Sequence, residues 1–287
     1  MLYASLLAYL VPVHYSFVTT DIALVLLSDK SLPPIFIRFL IAVFYGFFGA
    51  TQSVYAVHFI YRYLVVNKHH LIESFDSWKI VIWLLVPVIV GASWVLTELF
   101  LCGPDKQIIE LSREEILKSF GKPIEHFEFL GGTMYDVMKD GTITSHYKFL
   151  GAAVFMSVTV NASFAIIIFC AIKCYSYIDE IIETSSTTSS KTRAIQKQLF
   201  YALVCTILIP VLVLDIPVTS LLILNLANTG IGAKSAYLSF IMTFYPVIDP
   251  LPNFLIIEPY RKAVLGTFIR KTNVVQSVPM SMLPSKI

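Results

Sequence analysis

The chain has 287 residues, of which 56% are hydrophobic and only 14% charged, and its formal net charge is +2. Soluble domains carry about 25% charged residues, so this composition excludes a water-soluble enzyme. The small net charge gives no basis for a nucleic-acid partner. A span needs about 20 mostly apolar residues, which leaves room for six or seven spans with short loops.

Six apolar segments follow one another at about 1–27, 36–66, 80–102, 149–171, 199–226 and 236–257. All six are assigned to helices, because backbone facing lipid must satisfy its own hydrogen bonds. No basic region precedes the first run, so it does not read as a cleaved signal peptide. Asp21, Arg38 and Glu98 lie near span ends, where they can snorkel or sit at the interface. Asp215 lies deeper.

The second span ends His58-Phe-Ile-Tyr-Arg-Tyr63. Arg62 there reads either as a headgroup anchor or as a switch that packs inward at rest. The long polar segment Gly103–Lys148 has turn signals at Gly131-Gly132 and Lys139-Asp-Gly141, which predict a hairpin over the outer mouth. The stretch from Glu183 to Ser190 is of low complexity and reads as flexible. It leads into the basic helical segment Lys191-Thr-Arg-Ala-Ile-Gln-Lys-Gln198.

In the fifth span, Pro210 and Pro217 flank Asp215, a pattern for a kinked lever or for ordinary membrane-helix proline. In the sixth, Pro246 and Pro250 bracket Asp249, an expensive acid that should face the bundle interior. Residues 258–271 place Val264, Leu265, Phe268 and Ile269 on one face between basic residues, as in a helix lying in the inner interface. The polytopic domain thus covers 1–271, and 272–287 reads as a disordered cytoplasmic tail.

Twelve Lys and Arg fall in one set of short loops and tails and three (Lys30, Arg38, Lys234) in the other. The positive-inside rule makes the first set cytoplasmic, with both ends of the chain inside. The four cysteines lack metal-ligand spacing, and no metal, cofactor or intrachain disulfide is expected. The sequon at Asn161 lies within a span and reads as silent. Catalytic motifs are missing and the histidines are scattered, so the chain does not read as an enzyme. No internal repeat argues for an inverted-repeat transporter.

Several blocks carry a resemblance: His58–Tyr63, Lys191-Thr-Arg-Ala-Ile-Gln-Lys-Gln-Leu-Phe-Tyr-Ala-Leu203, Ile209-Pro210, Tyr245-Pro-Val-Ile-Asp-Pro250 and Tyr260-Arg-Lys-Ala263. They resemble the nematode serpentine chemoreceptors of the Str superfamily, class J or class Str, over nearly the whole chain. The resemblance implies an all-α membrane protein, a rhodopsin-like seven-helix receptor bundle represented here by about six transmembrane helices. In that family the span ending in the Tyr-Arg-Tyr-like sequence is the third; here it is the second. The expectation is therefore a chain lacking the family's first helix, as a truncated product, an incomplete gene model or a six-helix receptor.

The resemblance further implies a G-protein-coupled, olfactory-type receptor in the plasma membrane of sensory cilia. Its partners would be a small odorant-like ligand, a heterotrimeric G protein and membrane lipid. Tyr61, Arg62, Tyr63, Arg193 and Lys197 would serve coupling, and Pro210, Asp215, Pro217, Pro246, Asp249 and Pro250 the helix switch. Tyr15, Tyr45, Gln52, Trp94, Glu98, Asn161 and Asp215 are the ligand-facing candidates. Two rhodopsin-like features are absent. Tyr61 stands where an acidic residue usually precedes the switch arginine, and no cysteine near Phe36–Leu40 offers a staple to the long loop. The alternatives are a six-span channel or transporter subunit, with Asp215 and Asp249 lining an ion path, and a non-signalling receptor product.

Overall fold

The computed structural model describes residues 16–19, 23–29, 33–137, 142–184, 190–227, 229, 231–235, 237, 241, 245–258 and 260–263. Among these, four helices are long and apolar enough to cross a membrane: Pro34–Val66, Ser77–Leu101, Tyr147–Tyr177 and Ala194–Leu224. The protein is a mostly helical membrane bundle, as expected.

Helix α1, Pro34–Val66, begins with proline in its first turn, where the missing N–H is no loss. At 1.5 Å per residue it is about 50 Å long and outreaches the roughly 30 Å hydrocarbon core. It packs on α2, Ile80–Leu101, through facing glycines. A Cβ on Gly46 would lie 2.9 Å from the Gly91 carbonyl oxygen, and one on Gly91 would meet the Gly46 carbonyl at the same distance. Such small-residue contacts let membrane helices approach closely. On its other side α2 leaves Leu84, Val88 and Ile89 exposed, as suits a lipid-facing surface.

Helix α4 spans Tyr147–Thr184, and α5 spans Ser190–Pro210. At Pro210 the α-helical ladder gives way to a π-helical turn, Val211–Asp215, followed by α6, Ile216–Leu226. Proline withholds one backbone donor, and the wider turn absorbs the mismatch. The sixth expected span includes two short helices, α7 (Tyr245–Ile248) and α8 (Leu251–Ile256). A turn at Asp249-Pro250 separates them. Residues 258 and 260–263 are helical, whereas Val264, Leu265, Phe268, Ile269 and the tail 272–287 lie outside the described residues.

The segment expected as the first span corrects that expectation where it is described. Ser16–Thr19 (β1) and Ala23–Asp29 (β2) are antiparallel strands, not helix. Strand β2 pairs along its length with β3, Phe127–Thr133, from Ala23 opposite Thr133 to Asp29 opposite Phe127. A short apolar run has no period that separates strand from helix. Its partner here lies about a hundred residues away, where sequence pattern does not reach.

The long Gly103–Lys148 segment is also more ordered than a hairpin alone. It holds α3, Lys106–Phe120, closed by Gly121 at φ +66°. The expected hairpin is present as β4 (Tyr135–Val137) paired with β5 (Ile143–Ser145). Ile108, Ile116, Ile124 and Phe129 give this cap its own small core. Within the bundle, one core surrounds Ile41, Leu130, Phe149, Leu214 and Tyr245 near the cap, and a second surrounds Tyr55, Phe59, Ile167, Cys174 and Phe200 toward the other end.

Candidate functional site

Beneath the cap the helices enclose a cavity of about 200 Å³. Phe44, Tyr45 and Phe48 line it from α1, Trp94 and Glu98 from α2, Phe149, Met156 and Asn161 from α4, and Leu214, Asp215, Val218 and Leu222 from the π turn and α6. Trp94 to Glu98 and Leu214 to Val218 to Leu222 are four-residue steps, so each of these segments presents one face to the space. Cys102 and Gly131 lie at the cap end, where the Gly131 N–H donates to the Cys102 carbonyl across 3.0 Å.

The wall is aromatic with two acids set into it. Phe48 and Trp94 stack obliquely at 5.7 Å, and the Trp94 indole N–H donates to Thr159 Oγ1 at 3.0 Å. Glu98 is 4% exposed and Asp215 8% exposed. Gln52 Nε2 donates to Asp215 Oδ1 at 2.9 Å, and the Cys102 thiol donates to Glu98. Glu98 Oε2 and Asp215 Oδ2 have no partner among the described residues. Asn161 uses its amide on its own helix, donating to the Ser157 carbonyl at 2.7 Å.

Of the seven ligand-facing candidates, Tyr45, Trp94, Glu98, Asn161 and Asp215 thus line one cavity. Gln52 stands behind Asp215 as its hydrogen-bond partner rather than on the wall. Tyr15 lies outside the described residues. Phe44, Phe48 and Phe149 complete the wall without being marked by any sequence motif, although Phe48 follows Tyr45 by three residues on the same helical face.

At the opposite end of α1, Arg62 Nη2 donates to both the Gln196 carbonyl, at 2.9 Å, and Gln196 Oε1, at 2.5 Å. The guanidinium therefore turns to α5, into the bundle. Tyr61 packs edge-on against Phe75 at 5.1 Å, and Tyr63 lies 6.4 Å from Phe169. Lys197 is half-buried one residue beyond Gln196, and Arg193 lies on the same helix.

Between the two ends lies a cluster that the sequence discloses only in part. The Tyr55 and Tyr245 hydroxyls are 2.7 Å apart, and Tyr245 donates to Asp249 Oδ1 at 3.2 Å. Asp249 thus faces the bundle interior, and its tie to α1 runs through the two tyrosines. Pro250 precedes α8, and Pro246 lies in the backbone of α7.

The chain matches the family described as serpentine type 7TM GPCR chemoreceptor Str over residues 1–265. It is 26% identical over 225 residues to the G-protein coupled receptor str-217 of Caenorhabditis elegans, covering 77% of this chain and 63% of that protein. It is 25% identical over 263 residues to G-protein coupled receptor str-33 of the same organism, covering 90% and 74%. Serpentine receptor class r-10 of Caenorhabditis briggsae is 28% identical over 229 residues, covering 79% and 66%. The chain spans about two thirds of the length of the curated relatives it matches. No solved structure matches it.

Proposed function

Because the chain belongs to the Str family of serpentine chemoreceptors, we propose that it is a chemosensory receptor coupled to a G protein. A small external ligand enters the cavity beneath the cap. The inner ends of α1 and α5 form the surface that meets the G protein. Both termini are cytoplasmic, and the protein works in the plasma membrane of sensory cilia.

The observation that supports this reading best is the double role of α1. One face carries Tyr45 and Phe48 into the cavity, and the same helix ends at Arg62, held by Gln196 of α5. From Tyr45 to Arg62 is about 25 Å of continuous helix, a rigid link between a binding site and an inner contact. Helix α5 returns through the π turn to Asp215 on the cavity wall. A ligand that prefers one arrangement of the π turn shifts the population of states, and α5 moves against Arg62 at the far end.

The test is expression in cells with a G-protein activation readout, against a panel of small volatile compounds. Ala153 also lines the cavity from α4, and Ala153→Trp fills the space. At matched surface level it should abolish the response of the parent chain. A response that survives the filled cavity would place the binding site elsewhere.

A further inference from the structure

The cavity's acids are unusually placed. Each of the two carboxyls, on the wall of an apolar space within the membrane, is more than nine-tenths buried. Acidic groups there are expensive and are kept where something meets them. Among the described residues no Lys, Arg or His lines the cavity. The neighbours that do reach these acids are donors, the Gln52 amide and the Cys102 thiol, and each serves only one oxygen. Glu98 Oε2 and Asp215 Oδ2 remain as acceptors.

We propose that the ligand of this cavity is a small organic cation, a protonated amine, whose N–H groups meet Glu98 and Asp215 while its apolar body lies against Tyr45, Phe48, Trp94 and Phe149. This rests on the reading of the cavity as the ligand site. An ammonium has donors and no acceptor, which is the complement of two acids already supplied with one donor each. To ionised carboxylates a carbonyl or ether ligand offers only acceptors and leaves both oxygens unmet, a burial that buried polar groups seldom tolerate. Aromatic faces attract cations, most strongly the indole of tryptophan. At about 200 Å³ the space is below the roughly 300–1,000 Å³ of pockets for drug-sized ligands, which limits the cation to a short alkyl or single-ring amine.

The test uses n-butylamine, isopentylamine, benzylamine and phenethylamine, each beside the alcohol and aldehyde of the same skeleton. Two readouts are taken on the full chain: thermal stabilisation of the purified protein in detergent, and G-protein activation in cells. At least one amine should act at about tenfold lower concentration than its neutral counterparts, the loss expected for one charge-assisted hydrogen bond. Glu98→Gln and Asp215→Asn keep shape and remove charge, and each should raise that concentration by about tenfold.

If an amine stabilises the protein without activating a G protein, the ligand class stands and the receptor reading falls. Activation led by alcohols or aldehydes keeps the receptor reading and overturns the amine. Failure of every amine in both readouts also overturns it. Should a variant not reach the surface, the comparison of amines with neutral skeletons on the parent chain still decides.

Discussion

Arg38 Nε donates to Glu128 Oε2 across 2.7 Å, joining the outer end of α1 to strand β3 of the cap. This is the region, Phe36–Leu40, where no cysteine is available to staple the helix to the long segment. At the span end where Arg38 can snorkel or sit at the interface, it forms an ion pair, because β3 is held over the helix end by pairing with β2 and brings the buried Glu128 within reach.

Removing Arg38 takes one ion-pair partner from the buried Glu128 carboxylate. The arginine side chain is 40% exposed, so the loss lies between that of a surface pair and a buried one, about 1–3 kcal/mol. Arg38→Gln and Glu128→Gln should each lower thermal stability in detergent, and the double variant should lose less than the sum. Additive losses would mean that the pair is not coupled.

The Tyr55–Tyr245–Asp249 cluster ties the last helices to α1. Asp249→Asn retains an acceptor oxygen and should keep most surface expression and response. Asp249→Leu leaves the Tyr245 hydroxyl short of an acceptor and should lose both, by about 1–3 kcal/mol in stability. Leucine behaving like the parent in surface staining and signalling would remove Asp249 from any structural role.

Arg62 and Gln196 give opposite predictions if their contact holds the resting state. Arg62→Ala should impair G-protein activation more than surface expression. Gln196→Ala should raise signalling without ligand, because it removes the side-chain acceptor and leaves the guanidinium only the backbone carbonyl of residue 196. Unchanged basal and stimulated activity in both variants, at matched expression, would make Arg62 a structural anchor.

The Gly46–Gly91 contact permits no side chain. Gly91→Val should force α1 and α2 apart and cost about 1–3 kcal/mol or more, as overpacking does. Gly103→Ala, at a position with open space around it, is the control and should be silent in the same unfolding assay. Equal stability of Gly91→Val and the parent would show that the helices do not pack as described.

Orientation is checked by tags at each terminus and in the 103–148 segment. Only the tag in that segment should be reached by antibody on intact cells. External labelling of the C-terminus would reverse the topology.

Much of this protein is legible in its sequence. Hydropathy alone marks the long helices, because lipid demands about 20 apolar residues with internally satisfied backbone. The prolines around Asp215 announce a break in the helix, and the break is a π turn. The blocks around Arg62 and Lys191–Leu203 carry the family. Asp215 stands out by its depth in an apolar run, where an idle acid is too costly to keep, whereas Glu98 lies near a span end, reads as interfacial, and is buried only by the packing of the helices.

Tertiary structure decided the rest. Whether Ala23–Asp29 is strand or helix depends on β3, a partner that local periodicity does not contain. Which face of each helix turns inward depends on neighbours, so Phe44, Phe48 and Phe149 become cavity wall only once the helices are packed. Gln52 joins Asp215, and Arg62 joins Gln196, across separations of 163 and 134 residues. A sequence states which groups need partners; only the packed chain determines which partners they find.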